Sequence, residues 1–153
     1  MQNLNNETII IGLYESYKKE SSSKIELDNF YTLFTYFPCL LIVACDGVID
    51  DEEWVYVKYL ARFMADTHRD EVSEDRYAEL IDDFYNELVF LSDNLDEWEG
   101  KLIEGLRSYL EAHEYEKDDI LDILTLFAEA SDGVSDIEEV TIENLKTRLE
   151  LES

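Results

Sequence analysis

Residues 46–53 read Asp46-Gly47-Val48-Ile49-Asp50-Asp51-Glu52-Glu53, and residues 132–139 read Asp132-Gly133-Val134-Ser135-Asp136-Ile137-Glu138-Glu139. Six of the eight positions match, which marks an internal duplication. Each copy follows an apolar helical stretch and opens another. The repeated unit is thus helix, Asp-Gly turn, helix, and it sets the expectation for the whole chain.

Working outward from the two turns, apolar residues recur at helical spacing in segment after segment. A first helix carries Ile9, Ile10, Leu13, Tyr14 and Tyr17 and stops at Ser21, Ser22 and Ser23. A second begins with Asp28 as its N-cap and carries Tyr31, Leu33, Phe34 and Phe37; Pro38 must kink it or restart it before the run that ends at Cys45. A third, from about Asp50 to His68, places Trp54, Val57, Leu60, Ala61 and Met64 on one face. Ser73 caps a fourth with Tyr77, Leu80, Ile81, Phe84, Leu88 and Leu91, and Asp96 caps a fifth with Leu102, Leu106, Tyr109 and Leu110. Ile120, Leu121, Leu124, Phe127 and Ala128 define a sixth, and a seventh starts at Asp136 with Val140, Ile142, Leu145 and Leu149. Only five Gly and one Pro interrupt the chain, and no strand-like alternation competes. The expectation is an all-α compact bundle of about seven helices, one domain over residues 1–153, containing two pseudo-repeated helix–turn–helix units.

Composition bounds the function. A hydrophobic fraction of 46% over 153 residues is enough to close a core without disulfides. Twelve Lys and Arg stand against 38 Asp and Glu, a formal charge of −26. That field repels nucleic acid and anionic lipid head groups and attracts divalent cations and basic partners. No run reaches the ~20 apolar residues of a membrane helix. Cys39 and Cys45 lie in or beside an apolar run, six apart and off any common metal-binding face, and read as buried thiols. The polar start Gln2, Asn3, Asn5, Asn6 is unlike a signal peptide, so a cytoplasmic location is expected.

Capping accounts for much of the repeat. Gly47 and Gly133 suit a left-handed turn just past a helix end, and Val48 and Val134 pack back on the helix they leave. Asp50 with Glu53, and Asp136 with Glu139, have capping-box spacing; Ile49 and Trp54 form a hydrophobic staple that Ser135 lacks in the second copy. Asp46 and Asp132 are left over. They follow a helix C-terminus, where the macrodipole disfavours a negative charge, so they invite a cation. Asp-Gly, five residues and then Glu is the back half of a calcium-binding EF-hand loop. The front half is missing, because template positions one and three fall on Ile42 and Ala44, and on Ala128 and Ala130. A standard EF-hand is rejected, while Asp46, Asp50, Glu53, Asp132, Asp136 and Glu139 remain a candidate ligand set for a divalent, calcium-like cation.

On these residues the chain resembles the TerB-like family of tellurite-resistance proteins, which includes the N-terminal domain of a membrane-anchored co-chaperone. The resemblance rests on the two Asp-Gly turns and covers roughly residues 30–65 and 117–151. It implies an all-helical fold of about seven helices with pseudo-symmetric halves, an acidic metal site, and a stress-response role alongside membrane-associated complexes. The chain departs from that pattern in its acidity and its tyrosine-rich helices.

Enzyme chemistry finds little support. A di-iron bundle wants Glu-x-x-His, yet the residues three before His68 and His113 are Ala65 and Leu110. The few glycines form no phosphate-binding loop, and neither His is paired in sequence with a nucleophile. The expectation is therefore a non-enzymatic module that binds a divalent cation, a protein partner (basic or membrane-associated), or both. The alternative is an acidic nucleic-acid mimic that occupies a basic partner's groove. A third reading is an adaptor using its ten Tyr, seven Phe and two Trp as a surface patch, although filling the core is the simpler role for them.

Overall fold

The computed structural model describes the backbone of residues 2–44, 54–130 and 136–151, and the side chains of 10–44, 54–127 and 139–151. Its elements are α1 (Gln2–Ser21), α2 (Leu27–Val43), α3 (Trp54–Asp66), α4 (Glu74–Asp93), α5 (Leu95–Ala112), α6 (Lys117–Ala130) and α7 (Asp136–Arg148), with short 3-10 turns at Arg69–Glu71 and Glu114–Glu116. The fold is all-α, and no strand occurs among the described residues. In chain order the two repeated segments fall after α2 and after α6, and α3 and α7 follow them.

Helix α2 is the centre of the bundle. From Phe37 to Val43 every side chain is buried, so this stretch is apolar all round and can only lie inside other helices. It packs against all six of the others. Pro38 sits within it without ending it, so the helix neither stops nor restarts there. Burial on every side holds the turn that the missing N–H weakens. α1 lies along α5, and α3 along α4.

Tyr17, Phe30, Phe34, Phe84 and Trp98 are the large side chains that fill the middle, with Leu33, Leu40, Leu60, Leu88 and Leu106 between them. The Tyr17 ring meets Phe30, Phe90 and Trp98 at centroid distances of 5.3–5.5 Å. Such tilted and edge-on contacts suit the ring quadrupoles. The tyrosines divide between roles: Tyr17 is buried, while Tyr59 and Tyr115 are exposed.

Local caps follow the side-chain chemistry, with two departures from expectation. Ser73 caps α4 by accepting from the Arg76 N–H at 3.2 Å, as its position predicts. Asp28 is not the cap of α2: the helix starts at Leu27, its N-cap is Glu26, and Asp28 lies in the first turn. Asp96 likewise sits in the first turn of α5, behind Asn94. Both acids still favour the positive end of the helix dipole. Asn94 alone separates α4 from α5, and its Nδ2 donates back to the Phe90 carbonyl at 2.8 Å. Val140 is a third departure, lying 67% exposed on α7 where the periodicity placed it with the apolar set.

Candidate functional site

The six carboxylates of the repeated turns divide at the edge of the described structure. Asp46, Asp50, Glu53 and Asp132 lie outside the described residues. Asp136 opens α7, and Glu139, one turn further on, is exposed. Among the described residues no three of His, Cys, Asp or Glu gather as metal ligands. Cys39 is a buried free thiol, raised well above the usual range by burial, and Cys45 lies outside the described residues.

What the described residues do build is a groove. Its floor is Tyr36 and Cys39 of α2; one wall is Phe63, Asp66 and Thr67 at the end of α3; the other is Ile123, Leu126 and Phe127 of α6. It encloses about 620 Å³, in the range of ordinary ligand pockets. Leu126 is 62% exposed at its edge, an apolar side chain with no covering neighbour layer. The three elements converge because α2 is covered on its other sides by α1, α4, α5 and α7.

The polar groups of the groove are few and gathered at the α3 end. The Asp66 carboxylate accepts from the Tyr77 hydroxyl of α4. The Tyr36 hydroxyl is raised above its ordinary value by burial first, then by Cys39 and the charge of Asp66. The Thr67 hydroxyl donates to the Met64 carbonyl at 2.7 Å and caps the end of α3. An apolar trough with a carboxylate at one end favours an occupant that is apolar along one face and a donor or cation at its edge.

A second groove of about 530 Å³ lies between α3 and α4, lined by Val55, Lys58, Tyr59, Arg62, Ile81 and Tyr85 among others. It carries Lys58 and Arg62 beside Asp82. The Lys58 ammonium sits 5.9 Å from the Tyr85 ring centroid.

One constellation imitates a catalytic triad. Thr32 Oγ1 is 2.7 Å from His68 Nε2, and His68 Nδ1 is 3.1 Å from Glu71 Oε2. Sequence reading missed it because Thr32 and His68 are 36 residues apart. Thr32 lies inside α2 and is 9% exposed, and the neighbouring backbone N–H groups are spent on helical hydrogen bonds. The Thr32 hydroxyl also lies 3.4 Å from the Asp28 carbonyl of its own helix. The arrangement ties α2 to the turn after α3, with the His68 ring stacked on Phe84 at 6.1 Å.

His113 ends α5 as its C-cap, with Nδ1 2.9 Å from the Tyr109 carbonyl and its ring stacked on Tyr109 at 4.2 Å. Among the described residues no helix is long and apolar enough to cross a membrane. No protein-family model, curated protein or solved structure matches this chain.

Proposed function

We propose that this chain is a non-catalytic interaction module that docks an apolar segment of a protein partner in the groove between α2, α3 and α6. The observation that carries the reading is the groove itself: an open trough lined by Phe63, Ile123, Leu126 and Phe127, with Leu126 left uncovered. Apolar surface of this kind beside a few convergent polar groups marks a binding site. The test is an NMR titration with a helical peptide whose apolar face is Leu and Ala and whose other face is uncharged. Shifts are expected to concentrate at Phe63, Thr67, Ile123 and Leu126. Shifts scattered over the surface, or none at all, would overturn the reading.

The repeated turns carry a second reading, a TerB-like acidic module with Asp46, Asp50, Glu53, Asp132, Asp136 and Glu139 as divalent-cation ligands. What supports it is the recurrence of the same carboxylates between α2 and α3 and between α6 and α7. The two readings are compatible, because the helices that wall the groove are those joined by the turns. Cation binding at the turns would then act on the same helices that hold a partner.

A further inference from the structure

We infer that the occupant of the α2–α3–α6 groove is a basic amphipathic helix of a protein partner, an inference that rests on the groove being a docking site. Two observations select this class. The first is the fold. Among the described residues there is no strand edge to receive an extended peptide, and a trough walled on both sides by helices, α3 and α6, suits a further helix laid between them. A helix laid over Tyr36 and Cys39, between α3 and α6, completes a layer and buries Leu126.

The second is charge. Asp66 lines the groove, and Asp119 and Asp122 are exposed on α6 one turn before Ile123 and Leu126. Residues four apart share a helix face, so these two carboxylates stand along the α6 wall. Among the described residues no Lys or Arg lines this groove, in contrast to the Lys58 and Arg62 of the α3–α4 groove; a cation near the α3 wall is Arg69, stacked on the Tyr77 ring whose hydroxyl meets Asp66. The net charge of −26 extends the same sign to long range. An acidic or neutral helix gains nothing from that rim, whereas Lys and Arg on either side of an apolar stripe meet carboxylates at both walls. The far field raises the encounter rate, and the rim sets the register.

The experiment compares two helical peptides with the same Leu and Ala face, one with Lys and Arg on the polar face and one with Gln. Each is titrated by calorimetry against the wild-type chain, Leu126→Asp, and the triple variant Asp66→Asn, Asp119→Asn, Asp122→Asn. For the wild type, the basic peptide is expected to bind about ten-fold tighter than the Gln peptide, as three exposed pairs supply. The triple variant should remove most of that preference. Leu126→Asp should lose both peptides although it adds a negative charge, and circular dichroism checks that it folds; Leu126→Gln serves if it does not. Equal affinity of the two peptides overturns the basic partner while leaving the groove as a docking site. Undiminished binding of the basic peptide to Leu126→Asp overturns docking in favour of unspecific attraction to the field. Failure of both peptides to bind the wild type overturns the groove reading with it.

Discussion

The Tyr17 hydroxyl of α1 donates to the Glu87 carboxylate of α4, joining residues seventy apart in the chain. The other Glu87 oxygen takes the Ser23 hydroxyl at 2.6 Å, so one half-buried carboxylate holds both the end of α1 and the serine loop behind it. Ser22, in that loop, has a left-handed backbone with φ 57°.

Tyr17→Phe should lower stability by about 1.5–3 kcal/mol at pH 7, the range for a hydrogen bond to a charged acceptor. The phenol is held well above its ordinary value by burial, with the Glu87 charge and hydrogen bond adding to it. A raised value in the fold means that the contribution is fully present below the unfolded value of 10.0 and is lost as pH rises beyond it. Urea unfolding at pH 7 and at pH 11 should show the gap between wild type and Tyr17→Phe narrowing at the higher pH. A gap that is the same at both would show that the neutral phenol is not the source.

Glu97 of α5 meets Glu20 of α1, and the hydrogen bond between them, then burial, then the charge of Glu20 raise Glu97 above its ordinary value of 4.5. Because the fold prefers one of the two protonated, this contact helps below about pH 4.5 and its contribution is lost as pH rises. Glu20→Gln removes the repulsion and keeps Glu97 within 3.9 Å of Lys101. The variant should melt higher than wild type at pH 7 and match it near pH 4, by thermal scans at fixed ionic strength. A lower melting temperature at pH 7 would mean that Glu20 has a stabilising partner.

At Gly105, α5 lies close against Leu13 of α1 and Phe34 of α2. A Cβ there would lie 2.6 Å from Leu13 Cδ1 and 3.3 Å from Phe34 Cε2. The Leu13 methyl ends a half-buried side chain and can turn aside, but Phe34 is fully buried, so Gly105→Ala should forfeit the gain in helix propensity and destabilise by up to about 1 kcal/mol. Gly12→Ala and Gly100→Ala meet open space and should stabilise by about 0.5–1 kcal/mol. Denaturant midpoints of the three single variants check both signs.

At the repeated turns, the left-handed conformation that the sequence pattern predicts for Gly47 implies that Gly47→Ala destabilises with or without cation. Asp50→Ala should cost about 0.5–2 kcal/mol through the lost cap, again in both conditions. Asp46→Asn and Asp132→Asn should be neutral or mildly stabilising without divalent cation, because the sequence places both acids just after a helix, where the dipole disfavours a negative charge. If these acids are ligands, millimolar calcium raises the wild-type melting temperature more than that of either Asn variant. Equal responses, or a wild-type response matched by monovalent salt of the same ionic strength, leave the turns as capping devices.

The helical class, the number of helices and the position of most core residues were legible from the sequence, because 3.6-residue periodicity is a local property that burial only has to satisfy. Ser73, whose oxygen needs nothing beyond its own first turn, was legible for the same reason. As caps, Asp28 and Asp96 were each two residues late, since several polar residues beside a helix start compete for that position. Pro38 posed a choice that the local sequence leaves open. Enclosure by six helices settled it in favour of a continuous α2, because a buried helix holds its shape without every one of its hydrogen bonds. The groove was invisible in the sequence: Tyr36, Phe63, Asp66 and Leu126 lie on three separate helices and share no local pattern that would single them out. The tertiary structure alone made them one surface, since the packing of α3 and α6 around α2 sets the gap between those two helices. The charge of −26 was written in the composition, and the packing decided that Asp66, Asp119 and Asp122 stand beside an apolar trough.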